Sequence, residues 1–426
     1  MKDVVRNTVF LDKLWRQLAR KKVTNLLIFP AIAAVLFATP MLAFASCNLR
    51  DGSGQLHTAN VTPTPSNRPS NPTTDLWISI RSIYMLNKTH GWALSDTSVL
   101  KTSDGGNHWN DVTPANGGIS KGFFLNDQDA WGVSFPTQQN AGLPAGNLVN
   151  ILRTTDGGKS WQSSTIQSET VTDAYPFFLN ASDGWLQTFG QLGMGDQPPS
   201  AIFHTTDGGQ QWKFLGNTYP SEPSDCEAPA PSGPPCNPLI HSSGISFSDA
   251  QNGCESGLGG AGTTEARPVL DVTHDGGQTW HSLSLPALPG AGNIGMIPTT
   301  PPVFFGKNGL LPVSVRGIGF DLYVTHDGGQ TWTPTKLVTR NGQSSFTVYV
   351  ADMQHAWATS GTDLYATSDG GQSWTNLPPT PLPISTLDFA DANNGWAITP
   401  ANLLYTTDGG STWQPINYSI VPPQKG

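Results

Sequence analysis

The stretch TSDGGNHW, residues 102–109, decides the fold, because near copies of it return six more times along the chain. The other six boxes are TTDGGKSW (154–161), TTDGGQQW (205–212), THDGGQTW (273–280), THDGGQTW (325–332), TSDGGQSW (367–374) and TTDGGSTW (406–413). A motif that recurs about every 20 to 50 residues is typical of propellers, solenoids and related repeat architectures. The seven boxes therefore predict one large repeat domain.

Each box is predicted to be the turn of a β-hairpin, because an apolar, β-rich run such as NILRT (150–154) precedes it. The two glycines accept a positive φ without steric cost. We expect the Asp carboxylate to accept hydrogen bonds from turn N–H groups and the Trp ring to fold back between neighbouring sheets. These structural roles are assigned to Asp104, Asp156, Asp207, Asp275, Asp327, Asp369, Asp408, Trp109, Trp161, Trp212, Trp280, Trp332, Trp374 and Trp413.

A second pattern precedes every box and consists of a strand, a polar turn and another strand, as in PFFLNASDGWLQ (176–187). With the two strands around the box, each repeat holds four strands. The sequence therefore predicts an all-β fold, a seven-bladed β-propeller with four antiparallel strands per blade over residues 75–426. We expect the last blade to own its strands through Ile420, so that ring closure needs no strand exchange. The segment LWISI (76–80) is a candidate for an extra strand at the seam.

Charge is distributed unevenly along the chain. Seven of the 22 Lys and Arg residues and two of the 31 Asp and Glu residues lie before residue 23, which leaves 15 basic against 29 acidic residues in the rest. An acidic folded part argues against binding of nucleic acid or anionic lipid by the propeller.

The basic N-terminal region, residues 1–25, precedes 20 uncharged residues, LLIFPAIAAVLFATPMLAFA (26–45). This length is sufficient for a transmembrane anchor or a signal h-region, and the basic flank should stay cytoplasmic. Three outcomes remain open: an uncleaved anchor, cleavage after Ala43-Phe44-Ala45, or lipidation at Cys47, and we favour the anchor or the lipoprotein. Residues 46–74 are rich in Pro, Ser and Thr and are predicted to be a disordered linker. The folded domain is thus expected at the cell membrane, on the extracytoplasmic side.

The cysteines divide into two groups. Cys254 occupies the position at which five other blades carry Trp92, Trp131, Trp185, Trp357 and Trp396, which predicts a buried, unpaired thiol. Cys226 and Cys236 lie in one Pro-rich loop, and in an exported protein they are expected to form a local disulfide. A bond from either of them to Cys254 is the alternative.

The combination of a GWA-type strand and a TxDGGxxW box resembles the Asp-box (BNR) repeat of sialidase-like propellers. The pairing of GW with TTDGGxxW is similar to the photosystem II stability/assembly factor-like family. That resemblance implies a lumenal or periplasmic scaffold that holds a membrane subunit through a basic patch, whereas the folded part of this chain is acidic. A sialidase would need an arginine triad and a Tyr–Glu pair on six blades, so sialidase activity is not expected here.

Insertions predict where a binding surface lies. The Trp-to-box spacing is 12 residues in blade 1 (Trp92 to Asp104) but 25 in blade 2 (Trp131 to Asp156), and blades 3 to 5 are also longer. Long loops on a rigid scaffold commonly carry function. We expect a binding face on residues 134–148, 188–200, 213–243, 255–268 and 281–301, and its candidate residues are Asp196, Tyr219, Glu222, Glu255, Glu265 and Arg267.

No catalytic residue, cofactor or metal site is predicted. The box carboxylates are used by their turns, no pair of loop acids stands out, and the histidines form no metal-binding motif. The prediction is therefore a non-enzymatic scaffold that binds a protein partner. Carbohydrate binding or glycoside hydrolysis is the alternative, and the small number of loop aromatics, Phe135, Phe189 and Tyr219, disfavours it.

Overall fold

The computed structural model describes residues 79–115, 117–135, 148–167, 171–190, 200–217, 239–259, 267–289, 296–298, 300–315, 317–340, 342 and 345–422. Within these ranges the regular structure consists of strands, and no helix is present that is long and apolar enough to cross a membrane. The predicted N-terminal region, apolar segment and linker, residues 1–25, 26–45 and 46–74, lie outside the described residues.

The described strands form seven sheets that correspond to the seven predicted blades. Blades 1 to 3 contain β1 (Ile80–Met85), β2 (Gly91–Ser95), β3 (Val99–Thr102), β4 (His108–Asp111); β5 (Lys121–Phe124), β6 (Ala130–Ser134), β7 (Leu148–Thr154), β8 (Gln162–Gln167); β9 (Val171–Phe178), β10 (Gly184–Gly190), β11 (Ser200–Thr205) and β12 (Lys213–Asn217). Blades 4 and 5 contain β13 (Leu239–Phe247), β14 (Gly253–Gly259), β15 (Arg267–Thr273), β16 (His281–Ser284); β17 (Met296–Pro298), β18 (Val303–Phe305), β19 (Asn308–Val315), β20 (Gly319–Thr325), β21 (Thr333–Pro334) and β22 (Val338–Thr339).

Blades 6 and 7 and the C-terminus contain β23 (Thr347–Val350), β24 (Ala356–Ser360), β25 (Asp363–Thr367), β26 (Thr375–Leu377); β27 (Thr386–Phe389), β28 (Gly395–Ile398), β29 (Leu403–Thr406), β30 (Gln414–Ile416) and β31 (Ser419–Val421). Neighbouring strands within each blade pair in antiparallel fashion. The all-β, seven-bladed prediction is therefore confirmed. In blade 5 the first and last strands are each divided into two pieces, β17 with β18 and β21 with β22.

The first strand of each blade lies nearest the propeller axis, since first strands of successive blades contact one another. Because the strands run antiparallel outward from the axis, the box turns and the turns between first and second strands share one face. We call it the box face. The opposite face carries the ends of β6, β10 and β12 that flank residues 136–147, 191–199 and 218–238. We call it the insertion face.

Strands extend into the predicted insertions. β10 continues to Gly190, β14 to Gly259, and β13 begins at Leu239, so part of each added segment lengthens a hairpin instead of a loop. In blade 5 the extra residues lie almost wholly within β19 and β20. Val315 and Gly319 form the last residue pair of this hairpin, next to its turn. The physical reason is the apolar run LLPVSV, which continues the pairing and is buried throughout.

The ring closes through a strand exchange that the sequence did not predict. β31 pairs in parallel with β4 at the outer edge of blade 1, Ser419 lying opposite His108. Ile420 therefore belongs to blade 1 and not to the last blade. The exchange covers an otherwise open strand edge, and it packs Tyr418 and Ile420 against the apolar cluster between blades 7 and 1.

Tryptophans on the second strands join one blade to the next. The rings of Trp131, Trp185 and Trp357 stack on a phenylalanine of the following blade, with centroid distances of 3.7, 3.7 and 3.5 Å. The Nε1 hydrogens of Trp131, Trp185, Trp357 and Trp396 are each donated to the carbonyl oxygen of the first box glycine in the next blade, at 2.8 to 2.9 Å. Cys254 and Leu310 occupy this position in blades 4 and 5, so these two junctions lack the bond.

Candidate binding site

The boxes are closed hydrogen-bonded turns. In blade 4, Thr273 donates to Asp275 Oδ1 at 2.8 Å, and Gly277 N donates to Thr273 Oγ1 at 2.8 Å. Thr279 donates its N–H to Asp275 Oδ1 at 2.9 Å and its hydroxyl to Oδ2 at 2.6 Å. Gly276 and Gly277 have φ of 76° and 92°, which an L side chain adopts only with strain. The carboxylate thus fixes the turn with both oxygens.

The electrostatics of the boxes follow from these bonds. Burial acts to raise the pKa of Asp156, but donors on Ser160 and Thr154 outweigh it and lower the pKa to about 2. Hydrogen bonds likewise lower the pKa of the six other box carboxyls. A carboxylate held ionised by several donors is a poor general acid. These residues therefore stabilise the fold rather than supply chemistry.

The box tryptophans cover their own turns. Trp212, Trp280 and Trp332 donate Nε1 to the carbonyl of the second glycine in the same box, at 3.1, 3.1 and 2.9 Å. Trp109 and Trp332 are buried, and the other five are half-buried. Each ring fills the gap between neighbouring blades near the box face.

A cluster of polar and aromatic side chains lies at the axial mouth of the insertion face, between blades 2 and 3. Tyr175 in β9 donates its hydroxyl to Asp173 Oδ2 at 2.7 Å. Lys121 Nζ, from the first residue of β5, lies 4.8 Å from the Tyr175 ring centroid and 3.9 Å from Asp173 Oδ2. Phe189 of β10 meets Tyr175 edge-on at 5.6 Å. We call these four residues the Tyr175 cluster.

The Tyr175 cluster is accessible and its charge is balanced. Tyr175 is 36 % exposed, and the side chain of Lys121 is 42 % exposed. Burial, followed by the hydrogen bond to Asp173, raises the pKa of the Tyr175 phenol, so it stays a neutral donor rather than a nucleophile. The cluster offers an aromatic ring face, an ammonium group and a carboxylate. This combination suits a ligand that carries charged or polar groups next to an apolar group.

The cluster lies among the insertions, and of its four residues Phe189 falls within a predicted binding segment, residues 188–200. It stands on strand ends, and residues 136–147, 191–199 and 218–238 branch from neighbouring strands of the same face. Asp173 and Tyr175 were not predicted, because they lie inside the strand run VTDAYPFF and not in an inserted loop. The signal in the sequence was an acidic residue two positions before a tyrosine, Asp173 and Tyr175, near the start of a first strand.

The predicted face residues are distributed differently from the expectation. Glu255 was expected in a loop, but it lies inside β14 and is fully buried, so it is not part of an exposed surface. Its backbone is hydrogen-bonded on both sides because β14 pairs with β13 and β15. Arg267 is the first residue of β15, which begins at the insertion face and ends at Thr273 of the box. The remaining candidates lie outside the described residues: Asp196, Tyr219, Glu222 and Glu265.

Among the cysteines, Cys254 is described and is a free, buried thiol. Burial raises the pKa of this thiol, so it is inert in the folded state. In five other blades a Trp ring fills this position. Here the Cys254 sulfur and the Phe304 ring of blade 5 together lie against Gly329. The predicted Cys226–Cys236 disulfide and the lipidation candidate Cys47 lie outside the described residues.

Comparison with known proteins gives two family matches. The family described as photosynthesis system II assembly factor YCF48 matches residues 124–256, from the end of β5 into β14. The BNR/Asp-box repeat matches residues 323–334, the box of blade 5. No protein of curated function matches the sequence.

Comparison with solved structures gives matches that include the following three. The GH74 xyloglucanase of Xanthomonas campestris has 14 % identity and a TM-score of 0.52, and the match covers 81 % of this chain and 54 % of the xyloglucanase. YCF48 bound to a D1 peptide has 16 % identity and a TM-score of 0.49, with 78 % of this chain and 92 % of that chain covered. An α-L-arabinanase of Penicillium chrysogenum has 14 % identity, a TM-score of 0.41 and coverage of 66 % and 87 %.

At such identities the xyloglucanase match indicates the fold and not the activity. The geometry of the boxes, the seven sheets and the family matches agree with one another. The chain folds as a seven-bladed propeller that carries Asp-box (BNR) repeats, and over residues 124–256 it is similar to the photosystem II assembly factor YCF48 family.

Proposed function

We propose that this propeller is a protein-binding scaffold that acts as an assembly or stability factor, with the Tyr175 cluster as part of its binding surface. The observation that carries the proposal is the family match over residues 124–256, which includes Asp173, Tyr175 and Phe189. The matched segment thus contains most of the accessible cluster at the insertion face.

The chemistry of the cluster supports a peptide as ligand. Tyrosine offers a large contact area at low entropic cost, and Lys121 and Asp173 complement opposite charges on a partner. Arg81 of β1, a further cation at this face, donates to the backbone carbonyls of Ser95, Ile119 and Ser120 and therefore holds the fold instead of a ligand.

We further propose that the apolar segment 26–45, or a lipid on Cys47, tethers the propeller to the cell membrane with the folded domain on the extracytoplasmic side. The support is the basic flank and the uncharged length of that segment. A tethered scaffold would be held on the same membrane as its membrane-inserted clients.

Carbohydrate binding is the second candidate, and one observation favours it. Tyr175 exposes a ring beside the carboxylate of Asp173 at the mouth of the axis, an arrangement suited to stacking against a sugar. Hydrolysis would need a second carboxylate about 5 to 10 Å away and open to substrate.

Site-directed photo-crosslinking tests the proposal. A photoreactive amino acid replaces Tyr175 in one version of the full-length chain and His274, an exposed residue of the box face, in the other. After irradiation in native membranes, we expect a discrete protein adduct from position 175 and none from position 274.

Two further variants give the matched comparison. Lys121→Ala and Tyr175→Ala should weaken client capture, while His274→Ala should leave it unchanged. Equal adducts from both positions, or capture that survives both cluster substitutions, would contradict the scaffold proposal. If the protein binds an oligosaccharide and that oligosaccharide prevents crosslinking at position 175, the carbohydrate candidate would be favoured instead.

A further inference from the structure

Two positions of the blade repeat carry an acidic pair in blade 4. They are the residue after the second-strand Trp position and the residue two before the box Thr, which lie directly opposite each other in register. In the other six blades the pairs contain no charged residue: Ala93–Leu100, Gly132–Leu152, Leu186–Phe203, Leu311–Tyr323, Ala358–Tyr365 and Ala397–Leu404. In blade 4 the pair is Glu255 and Asp271.

Both acids are buried in the interface between blades 3 and 4. Their exposed fractions are 0 % and 1 %, and residues opposite each other on neighbouring strands share a face, with Cβ atoms about 5 Å apart. Glu255 also lies opposite Ile245, which packs against blade 3. The pair therefore faces blade 3. At other blade interfaces, residues in these two positions belong to apolar clusters.

Blade 3 contributes polar groups to the same place. Gln187, fully buried, has Nε2 2.7 Å from Glu255 Oε1, 3.1 Å from Ser200 Oγ and 3.3 Å from Ser242 Oγ. Two buried oxygens at this contact have no hydrogen-bond partner among the residues that the structure describes, Gln187 Oε1 and Glu255 Oε2. Buried oxygens without a donor are costly, so such a group calls for a ligand.

We propose that Glu255, Asp271 and Gln187 bind a hard divalent cation, of which Ca²⁺ best matches the ligand set, between blades 3 and 4. Carboxylate and amide oxygens are the ligands that Ca²⁺ takes, and the hydroxyls of Ser200 and Ser242 lie at the same contact. Binding of the ion requires the Gln187 amide to turn over, so that Oε1 replaces Nε2 on the side of Glu255. One divalent ion balances two carboxylates, which a monovalent ion does not. The ion supplies the positive charge that buried acids need.

The ion would also brace the proposed binding surface. Gln187 lies opposite Tyr175 in the pairing of β10 with β9. Fixing Gln187 therefore fixes the strand that presents the Tyr175 cluster. The cation proposal does not depend on the proposed function, since its test measures the ion itself.

The experiment uses the full-length chain in detergent, stripped with EGTA. Bound ⁴⁵Ca is measured by equilibrium dialysis, and the thermal midpoint is compared with and without CaCl₂. The matched variant is Glu255→Ala with Asp271→Leu, which installs the Ala–Leu pair of blades 1 and 7. Glu255→Gln is a second variant that keeps the shape of the side chain.

We expect about one bound Ca²⁺ per chain and a raised midpoint for the natural protein, and neither for the double variant or Glu255→Gln. Equal Ca²⁺ binding by the natural protein and the double variant would overturn the proposal, because the ion would then lie elsewhere. Absence of binding to the natural protein would also overturn it and would assign the acidic pair to a shared proton.

Discussion

Trp185 donates its Nε1 hydrogen to the carbonyl oxygen of Gly276 at 2.8 Å, while its ring stacks on Phe247 with centroids 3.7 Å apart. One side chain on blade 3 thereby holds both the first strand and the box of blade 4. The same junction recurs from blade 2 to 3 and from 6 to 7. The GW element and the DGG box therefore form one inter-blade device although they lie far apart in the sequence.

Trp185→Phe tests this device. The variant keeps an aromatic ring against Phe247 but leaves the buried Gly276 carbonyl without its donor, so we expect the free energy of unfolding to fall by about 1–3 kcal/mol. Urea unfolding followed by tryptophan fluorescence provides the measurement. Trp413→Phe is the control, since the Nε1 of Trp413 is buried without a hydrogen-bond partner and that variant loses no such bond. Equal losses from both variants would contradict the bond's role.

The boxes should make the fold sensitive to acid. The pKa of Asp156 is lowered from 3.8 to about 2, so its stabilising effect is complete above pH 4 and is lost as pH falls through about 2. We expect Asp156→Asn to reduce stability at pH 7 and to flatten the loss of stability between pH 4 and 2. Circular dichroism across an acid titration measures this, with Asp96→Asn at an exposed turn as the control. Parallel titration curves for both variants would exclude a special contribution from the box.

The ring seam should respond to pH in the opposite direction. Asp388 Oδ2 accepts the Met85 N–H at 2.5 Å across the junction of blades 7 and 1, and burial raises the pKa of this carboxyl to about 7. A raised carboxyl pKa means that its contribution is complete below pH 4 and is lost as pH rises through 7. Tyr84 and Tyr349 are the titratable groups that interact with it, and both have raised pKa values.

Asp388→Asn keeps an acceptor for Met85 and removes the charge. We therefore expect the variant to gain stability relative to the natural protein as pH rises from 5 to 8. Thermal midpoints at four pH values across that range are the measurement. A constant difference between the two proteins over the range would show that Asp388 does not titrate there.

The C-terminal strand should act as a latch. Deleting residues 418–426 removes β31 and the packing of Tyr418 and Ile420, and we expect a loss of about 2 kcal/mol or more in the free energy of unfolding. Deleting only 423–426 leaves the strand in place and should have no effect. Differential scanning calorimetry compares the two truncations. Indistinguishable unfolding would mean that the parallel pairing contributes nothing to closure.

The sequence by itself determined the number of blades, the four-strand repeat and the roles of box residues such as Asp275 and Trp280. These features depend on local chemistry, since positive-φ glycines, an Asx-type turn and alternating apolar residues act within a few positions of each other. The repeat also located Cys254 correctly in the core, because five other blades place a buried Trp at the same position.

The tertiary structure alone decided which residues meet across blades. Sequence spacing placed Glu255 in a loop, but pairing with Asp271 and contact with Gln187 put it in the interior. The Tyr175 cluster and the β31 latch likewise join residues from separate elements, and Lys121 reaches Tyr175 from the preceding blade. Such contacts depend on how the sheets pack around the axis, and local periodicity carries no information about the partner strand in another blade.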